Sequence, residues 1–241
     1  MNTIKIETGS TKMIAHRGLS GLETENTCAA FVAAGNRSYF GIETDIHRTG
    51  DGNFILLHDD NTARVGCDNI QVEESSYASL RSLRLCDKEG GKGRADLHLP
   101  SLEEYISICR NYEKVCVLEL KSDFTEPEIK TILSRIKAMG WLEHVIFISF
   151  LYENLLKVRA LQPLQPCQFL TGEFSDTLLT RLEKDRFDLD IYYPVLSEKA
   201  IKACHQRGIK VNCWTVDQKE EALKLISWGV DFITTDILEG K

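Results

Sequence analysis

The sequence predicts an α/β fold, a (β/α)8 TIM barrel, and two observations carry this prediction. Short β-rich runs alternate with helical stretches about eight times in 241 residues, as in a closed barrel of parallel strands. Two of these runs, residues 115–118 and 145–148, are continuously apolar, as expected of strands that are covered on both faces. An open doubly wound sheet is the alternative, but the chain has neither of the usual glycine-rich nucleotide fingerprints.

Nine strands are predicted, one more than an eight-stranded barrel requires. They span residues 13–16, 41–48, 54–58, 115–120, 145–149, 167–170, 189–193, 210–214 and 231–235. Helices are predicted at 27–34, 102–112 and 127–139. Ser197 is expected to cap a further helix that ends at Gly208, and Asp217 and Glu220 bracket the start of one that ends at Gly229.

The additional strand is explained by a β-hairpin extension after the second barrel strand. Only five residues separate 41–48 from 54–58, too few for a parallel crossover, and they include the hairpin signal Asp51-Gly52. The second barrel strand is therefore expected to continue above the barrel and fold back. A two-residue turn at Asp51-Gly52 would place Asp45 opposite His58.

Charge and hydropathy exclude several functional classes. The chain carries 29 basic and 36 acidic residues, a net charge of −7, and has no long basic run. This balance argues against nucleic acid and an anionic membrane surface as partners. No apolar stretch approaches the ~18 residues of a membrane span, so no stable membrane insertion is expected. The 43% hydrophobic fraction is typical of a globular domain, and we expect residues 1–241 to form one.

The cysteines and the first residues predict a cytoplasmic protein. The eight cysteines contain no CxxC pair, which argues against a zinc knuckle, and their spread favours reduced thiols over a disulfide framework. The first ten residues lack the apolar segment of a secretory signal. A secreted chain with its signal removed is the alternative, and the oligomeric state is left open.

Three carboxylates indicate a metal site. Glu43 and Asp45 lie two apart on one predicted strand, so both side chains point to the same face. Glu119 comes near the end of an otherwise apolar strand, where a charge is expected only at a functional edge. Buried like charges need a cation or hydrogen-bond donors. Three carboxylates favour Mg²⁺ or Ca²⁺ over zinc, and the alternative is that they face solvent or bind backbone.

Two histidines and two cations accompany the carboxylates at predicted strand ends. His16 and His58 carry protons that are available near neutral pH, so the pair can supply a general acid and a general base. Arg17 and Lys121 can hold an anion, Arg17 through two parallel hydrogen bonds. Each histidine taken alone is more often structural, and the alternative for Lys121 is a solvated lysine at a strand end. Together the residues suit displacement at a phosphodiester.

The order of these motifs resembles the signature of the glycerophosphodiester phosphodiesterase family. The specific part consists of His16-Arg17-Gly18, Glu25-Asn26-Thr27, Glu43-Thr44-Asp45, Asp51-Gly52 and His58-Asp59. The weaker part consists of residues 100–104, Glu119-Leu120-Lys121, Ser149-Phe150, Trp214-Thr215-Val216 and residues 229–236. The resemblance covers nearly the whole chain.

The resemblance implies a phospholipase-C-like barrel that hydrolyses glycerophosphodiesters to glycerol 3-phosphate and an alcohol with the help of a divalent cation. By resemblance, His16 and His58 match the acid/base pair. The metal ligands match Glu43, Asp45 and Glu119, and the residues near the substrate match Arg17, Lys121 and Trp214. Attack by water and attack by a neighbouring substrate hydroxyl both remain open.

Two alternative functions fit the same residues. A phospholipase acting on lysolipid, sphingolipid or phosphoinositide head groups would use the same site, and an inactive binding barrel is the lesser alternative. Residues 60–99 are expected to be the variable insertion that sets substrate choice. The insertion contains a loop at 90–94, in which Lys92 and Arg94 could contact an anionic substrate. A flexible loop exposed to solvent is the preferred interpretation of these residues.

Overall fold

Eight parallel strands close into a barrel in the computed structural model, which describes residues 2–66, 68–91 and 94–241. The strands are β1 (Ile4–Ile6), β2 (Lys12–Ala15), β3 (Gly41–Arg48), β4 (Phe54–Leu56), β5 (Val115–Leu120), β6 (Val145–Ser149), β7 (Cys167–Thr171), β8 (Asp188–Tyr192), β9 (Val211–Trp214), β10 (Phe232–Thr235) and β11 (Leu238–Gly240). The barrel order is β2-β10-β9-β8-β7-β6-β5-β3, and pairing of β2 with β3 closes it. The predicted TIM barrel is confirmed.

Helices follow the barrel strands and cover the outside of the barrel. They are α1 (Cys28–Gly35), α2 (Tyr77–Ser82), α3 (Leu102–Asn111), α4 (Glu126–Ala138), α5 (Tyr152–Leu161), α6 (Asp176–Asp185), α7 (Glu198–Gln206) and α8 (Lys219–Ser227). In α4 the apolar residues that repeat at helical spacing, Ile129, Ile132, Leu133 and Ile136, are all buried. None of the helices in the described ranges is long and apolar enough to cross a membrane.

The start of α8 lies between Asp217 and Glu220, as predicted. The residue before the helix is Gln218, and its side chain makes no capping hydrogen bond. Asp217 instead accepts hydrogen bonds from the Thr235 hydroxyl at 2.9 Å and from the Asp236 backbone N–H at 2.7 Å. Asp217 therefore precedes α8 without capping it, because its carboxylate is bonded to donors at the end of β10.

The hairpin forms as predicted, but its predicted register is wrong. The loop has three residues, with Gly52 in the left-handed region at φ +75°, and Thr49 N–H donates to the Asn53 carbonyl at 2.9 Å. The pairs are therefore Ile46 with Leu56 and Arg48 with Phe54. Asp45 faces residue 57, and His58 follows the short strand β4. The extra loop residue shifts the pairing by one position, and a shift of one exchanges the two faces of a strand.

The segment between β4 and α3 has a small apolar core of its own. Eight buried side chains form it: Ile55, Leu57, Val65, Val72, Leu80, Leu85, Leu97 and Leu99. Within the loop at 90–94, Arg94 forms ion pairs with Glu23 at 2.7 Å and with Asp96 at 2.8 Å. Lys92 lies outside the described residues. Arg94 is thus engaged by carboxylates of its own chain.

The parallel pair β1–β11 carries a buried carboxylate that stabilises the fold. Glu239 pairs with Lys5 and accepts hydrogen bonds from the backbone N–H and the hydroxyl of Ser38, both at 3.0 Å. Burial acts to raise the pKa of Glu239, but Lys5, Ser38 and Thr3 outweigh burial and lower the pKa to about 2. The ionised carboxylate therefore contributes to the stability of the folded chain.

We expect Glu239→Ala to lower the free energy of unfolding at pH 7 by about 2 kcal/mol, because it leaves Ser38 and Lys5 without their partner. The folded pKa lies below the unfolded value, so the difference is present above about pH 5 and disappears as the pH falls towards 2. Urea titrations at pH 7 and pH 3 measure it. Glu7→Ala, at an exposed partner of Lys241, is the matched control. If both variants lowered the free energy of unfolding at pH 7 equally, the stabilising role of ionised Glu239 would be contradicted.

Candidate active site

A cavity of about 110 Å³ lies at the carboxyl ends of the barrel strands. Its lining residues are His16, Arg17, Glu43, His58, Glu119, Ile148, Phe150, Leu170, Asp190, Trp214, Thr215 and Thr234. Six of the eight residues predicted for the site are in this lining. The other two, Asp45 and Lys121, lie next to Glu119: Lys121 pairs with Glu119 and Asp45, and Asp45 belongs to the same carboxylate cluster.

The three predicted metal ligands come together because β3 and β5 are neighbours in parallel register. Asp45 pairs with Glu119 across the two strands, and Glu43 lies two residues earlier on the same face. Side-chain oxygens of all three lie within 4.8 Å of one another, and all three residues are buried. Asp45 Oδ1 is fully buried and has no hydrogen-bond partner among the residues that the structure describes. This oxygen is available to a ligand.

The carboxylates differ in their preference for the charged form. Burial, together with the charges of Asp45 and Glu119, raises the pKa of Glu43 well above its usual value. Burial and the charge of Asp45 also raise the pKa of Glu119, to about 8. Burial would raise the pKa of Asp45 too, but His58, Lys121 and Arg17 together hold it below the usual value. Like charges at this distance need a cation if all three are to ionise at neutral pH.

Asn26 and the Arg17 backbone orient the carboxylates. Both residues adopt left-handed conformations, with φ of 50° and 51°. Arg17 N–H donates to Glu43 Oε2 at 2.8 Å, and Asn26 Nδ2 donates to Asp45 Oδ2 at 2.8 Å. The Thr44 hydroxyl donates to Asn26 Oδ1 at 2.6 Å and so fixes the amide. Asn26 was not predicted as a site residue. Asparagine tolerates the left-handed region better than most residues, which could have indicated a special position.

Two cations contact the acidic cluster. Lys121 Nζ lies 3.1 Å from Glu119 Oε1 and 3.7 Å from Asp45 Oδ1. Arg17 Nη1 pairs with Glu25 at 2.8 Å, and its Nε lies 3.7 Å from Asp45 Oδ2. Burial acts to lower the pKa of both cations, but the carboxylates raise the pKa overall. Both side chains therefore remain charged next to the cavity.

Each of the two histidines is held at Nδ1 by a carboxylate. His16 Nδ1 lies 2.7 Å from Asp236 Oδ1, which also accepts from the Ser20 hydroxyl at 2.8 Å. His58 Nδ1 lies 2.6 Å from Asp59 Oδ1. No hydrogen bond of either Nε2 is found within the described ranges. Both imidazoles thus have one nitrogen oriented by a carboxylate and one nitrogen available for proton transfer.

Asp59 and Asp236, the two carboxylates that hold the histidines, were not predicted as site residues. Asp59 follows His58 directly, which was a usable signal, whereas Asp236 is 220 residues from His16 and reaches it only through barrel closure. Burial lowers the pKa of His58 and the charge of Asp45 opposes this shift. His58 is therefore more readily neutral than a solvated histidine.

An arginine of the insertion, Arg64, connects the carboxylate that holds His58 with the carboxylate that holds Arg17. Arg64 Nε donates to Asp59 Oδ2 at 2.7 Å, and Arg64 Nη2 donates to Glu25 Oε1 at 2.9 Å. Asp59 holds His58, and Glu25 holds Arg17. Hydrogen bonds from Arg64 and His58 lower the pKa of Asp59 although burial opposes this. The insertion thereby positions two side chains of the cavity.

Aromatic side chains form the other side of the cavity mouth. Trp214 contacts Phe150, with ring centroids 5.6 Å apart, and Tyr192, with centroids 5.5 Å apart. Phe150 and Tyr192 are 47% and 43% exposed. The predicted placement of Trp214 at the mouth agrees with this geometry. Asp190, a buried acid on β8, also lines the cavity and was missed by the sequence analysis.

A closed barrel of parallel strands whose carboxyl ends surround a cavity lined by histidines, carboxylates and an arginine has the architecture of a TIM-barrel enzyme. The sequence model of the glycerophosphoryl diester phosphodiesterase family matches residues 16–239. The chain therefore belongs to this family, and it is a phosphoric diester hydrolase.

Relatives of known sequence and structure agree with this membership. A glycerophosphodiester phosphodiesterase of Caldanaerobacter subterraneus subsp. tengcongensis is 29% identical over 234 residues, which cover 94% of each chain. A solved glycerophosphodiester phosphodiesterase of Parabacteroides distasonis has a TM-score of 0.77 at 29% identity, with 94% and 93% of the chains covered. An Oleispira antarctica phosphodiesterase in complex with the product sn-glycerol-3-phosphate has a TM-score of 0.80 at 25% identity, with 93% and 92% covered.

Proposed function

We propose that the protein hydrolyses glycerophosphodiesters to glycerol 3-phosphate and an alcohol, with a divalent cation and with His16 and His58 as general acid and base. One observation carries this proposal most directly. Two imidazoles oriented at Nδ1 line the same small cavity as two of three clustered buried carboxylates. A related structure that contains sn-glycerol-3-phosphate supports the choice of substrate. The whole chain is proposed to act as one cytoplasmic catalytic domain.

The acidic cluster fits a divalent cation held by Glu43, Asp45 and Glu119. The three carboxylates are close enough for a common ion, and the buried Asp45 Oδ1 has no hydrogen-bond partner. An all-oxygen ligand set suits Mg²⁺ or Ca²⁺. When bound, the ion supplies positive charge that stabilises negative charge developing on the phosphate. It also favours ionisation of Glu43 and Glu119, whose pKa values are otherwise raised.

Side chains of the protein bind the phosphate, transfer the protons and orient the histidines. Arg17 and Lys121 hold the oxygens of the phosphate that do not take part in bond cleavage. One histidine removes a proton through Nε2 from the attacking oxygen, that of water or of a neighbouring substrate hydroxyl, as this oxygen bonds to phosphorus. The other histidine donates a proton from Nε2 to the alkoxide that leaves as its P–O bond breaks. Attack by the neighbouring hydroxyl would give a cyclic phosphate, which water would then open. Asp59 and Asp236 keep the rings oriented and stabilise the imidazolium form. Trp214 contacts the organic part of the substrate at the mouth.

Arg64 is proposed as a positioning residue. We expect Arg64→Gln to lower kcat about 10- to 100-fold with a smaller change in KM, because Asp59 and Glu25 lose their shared donor and His58 and Arg17 lose alignment. Arg64→Lys should restore little, since an ammonium cannot make the paired contacts. Arg94→Gln is the matched control: Arg94 is of similar exposure and also joins two carboxylates, but outside the cavity. Steady-state kinetics that show equal effects of Arg64→Gln and Arg94→Gln would exclude a positioning role.

A phospholipase reaction on a lipid head group is a second candidate, favoured by one observation. The exposed apolar side chains Phe150 and Tyr192 next to Trp214 offer a contact for an acyl chain. An inactive binding barrel is a lesser candidate, and the presence of both histidines and all three carboxylates argues against it.

A substrate panel separates these functions. The purified protein is assayed with Mg²⁺ or Ca²⁺ on glycerophosphocholine, glycerophosphoethanolamine, lysophosphatidylcholine and sphingomyelin. The proposed function predicts free glycerol 3-phosphate from the first two substrates. Preferential turnover of the lipids would establish the second candidate instead, and no turnover of any substrate with either metal would overturn the proposed function.

A further inference from the structure

Asp190 is a buried acid of the cavity that the mechanism above does not use. It lies on β8 with its side chain towards the inside of the barrel, is 1% exposed and lines the cavity. Its Oδ1 atom is buried and finds no hydrogen-bond partner in the described part of the chain. A buried acceptor without a partner destabilises the folded protein, so a ligand that supplies a donor would explain its presence.

Asn212 hydrogen-bonds the Asp190 carboxyl group but leaves its Oδ1 unpaired among the described residues. Asn212, its neighbour in the β8–β9 register, already donates to Gln168 Oε1 at 3.2 Å and accepts from the Thr234 hydroxyl at 3.2 Å. Within the described ranges Asp190 has no ion pair, in contrast to Asp45 and Glu119. Burial raises the pKa of Asp190 to about 8, although Asn212 opposes this shift. At neutral pH the group is largely an uncharged carboxyl, which both donates and accepts hydrogen bonds.

The position of β8 in the barrel indicates which part of a substrate lies next to Asp190. In the order β2-β10-β9-β8-β7-β6-β5-β3, strand β8 lies four places from β3 in both directions, diametrically across the barrel from Glu43 and Asp45. The phosphate belongs beside the carboxylate cluster, Arg17 and Lys121. Asp190 therefore faces the organic group attached to that phosphate, among the apolar side chains of Ile148, Leu170 and Trp214.

The size of the cavity limits this organic group. Its volume is about 110 Å³, and the space beside Asp190 therefore suits a small group. A glycerol moiety is small, packs its carbon chain against apolar walls and presents hydroxyl donors. One hydroxyl within reach of Asp190 Oδ1 would satisfy this otherwise unpaired acceptor.

We propose that Asp190 is a specificity-determining residue that hydrogen-bonds a hydroxyl of the glycerol moiety and so selects glycerol phosphates over phosphates with an apolar chain. This inference rests on the proposed function, because that function places a glycerol phosphoryl group in the cavity. A group without hydroxyls leaves Asp190 unpaired when it displaces water, and this unpaired acceptor is the basis of the discrimination.

The test compares two ligands that differ only in their hydroxyls, sn-glycerol 3-phosphate and n-propyl phosphate, by calorimetric titration in the presence of Mg²⁺ or Ca²⁺. We expect the native protein to prefer glycerol 3-phosphate at least tenfold. Asp190→Leu keeps the branched shape without the polar atoms and should weaken glycerol 3-phosphate about 10- to 100-fold, with less than threefold change for propyl phosphate. Asp190→Ala is the second variant, with the same expectation, if the leucine side chain prevents folding.

Asp188→Asn is the matched control for these variants. Asp188 lies two residues earlier on the same strand, and its Oδ1 accepts from the Lys210 backbone N–H at 2.8 Å, outside the cavity lining. Both ligands should bind this variant as they bind the native protein. Equal weakening of both ligands by the Asp190 variants, or no weakening of either, would overturn the inference.

A separate assay distinguishes failure of this inference from failure of the proposed function. If the native protein releases glycerol 3-phosphate from glycerophosphocholine while the Asp190 variants retain the native ligand preference, then the inference alone is wrong. If the native protein releases none, the proposed function itself is wrong, and the role of Asp190 is lost with it.

Discussion

Replacing His16 or His58 by alanine is expected to lower kcat on glycerophosphodiesters by about 10²- to 10⁴-fold, the usual contribution of one general acid or base. Each ring is held by a carboxylate at Nδ1 and lines the cavity, so its removal deletes a proton donor or acceptor at the reacting bond. Turnover is measured as release of glycerol 3-phosphate. Circular dichroism and thermal unfolding of each variant establish that it remains folded.

His205→Ala is the matched control for this experiment. His205 also contacts a carboxylate, with Nε2 2.8 Å from Asp231 Oδ2, but it lies on α7 and outside the cavity lining. Its replacement should change kcat less than twofold. A loss below tenfold for either His16→Ala or His58→Ala would remove that histidine from the proposed mechanism.

Replacing Glu119 by glutamine is expected to abolish both metal binding and most of the activity. The amide removes one charge from the cluster with Glu43 and Asp45 and retains the side-chain shape. We expect kcat to fall at least about 10³-fold, because charge stabilisation by a bound metal is worth several kcal/mol. In the native protein, Mg²⁺ or Ca²⁺ should raise the melting temperature, because a ligand that binds the folded state stabilises it. This increase should be absent in Glu119→Gln.

Glu103→Gln provides the control, because Glu103 is half-exposed on α3 and pairs with Arg135 away from the cavity. It should retain both the activity and the metal-dependent increase in melting temperature. Metal removal gives an independent check: exhaustive chelation should abolish turnover, and readdition of the cation should restore it. Full activity after chelation would refute a metal-dependent mechanism.

Local sequence determined the elements of the fold. The apolar runs at Val115–Leu120 and Val145–Ser149 became strands with the predicted bounds, because a strand covered on both faces needs apolar side chains throughout. Ser101 and Glu104 form a capping box at the start of α3, and both of its hydrogen bonds span only three residues. Interactions of short range along the chain can be recognised from residue order alone.

Much of the candidate site could also be predicted from local sequence. The alternation of side chains along a strand places Glu43 and Asp45 on one face, and the carboxyl ends of all barrel strands meet at one edge. His16, Glu119 and Lys121 were therefore expected near the same point, and the structure brings them there. Their catalytic and metal-binding roles stay predictions.

The tertiary structure decided the features that depend on pairing across long stretches of chain. The hairpin register differs by one residue from the prediction, because the loop closes through Gly52 in the left-handed conformation, with one more residue than the simplest turn. Asp236 reaches His16 only because β10 pairs with β2, and Asp190 faces the cavity only because β8 closes the far side of the barrel. Sequence patterns are dominated by neighbours along the chain, whereas these contacts arise when closure brings distant segments together.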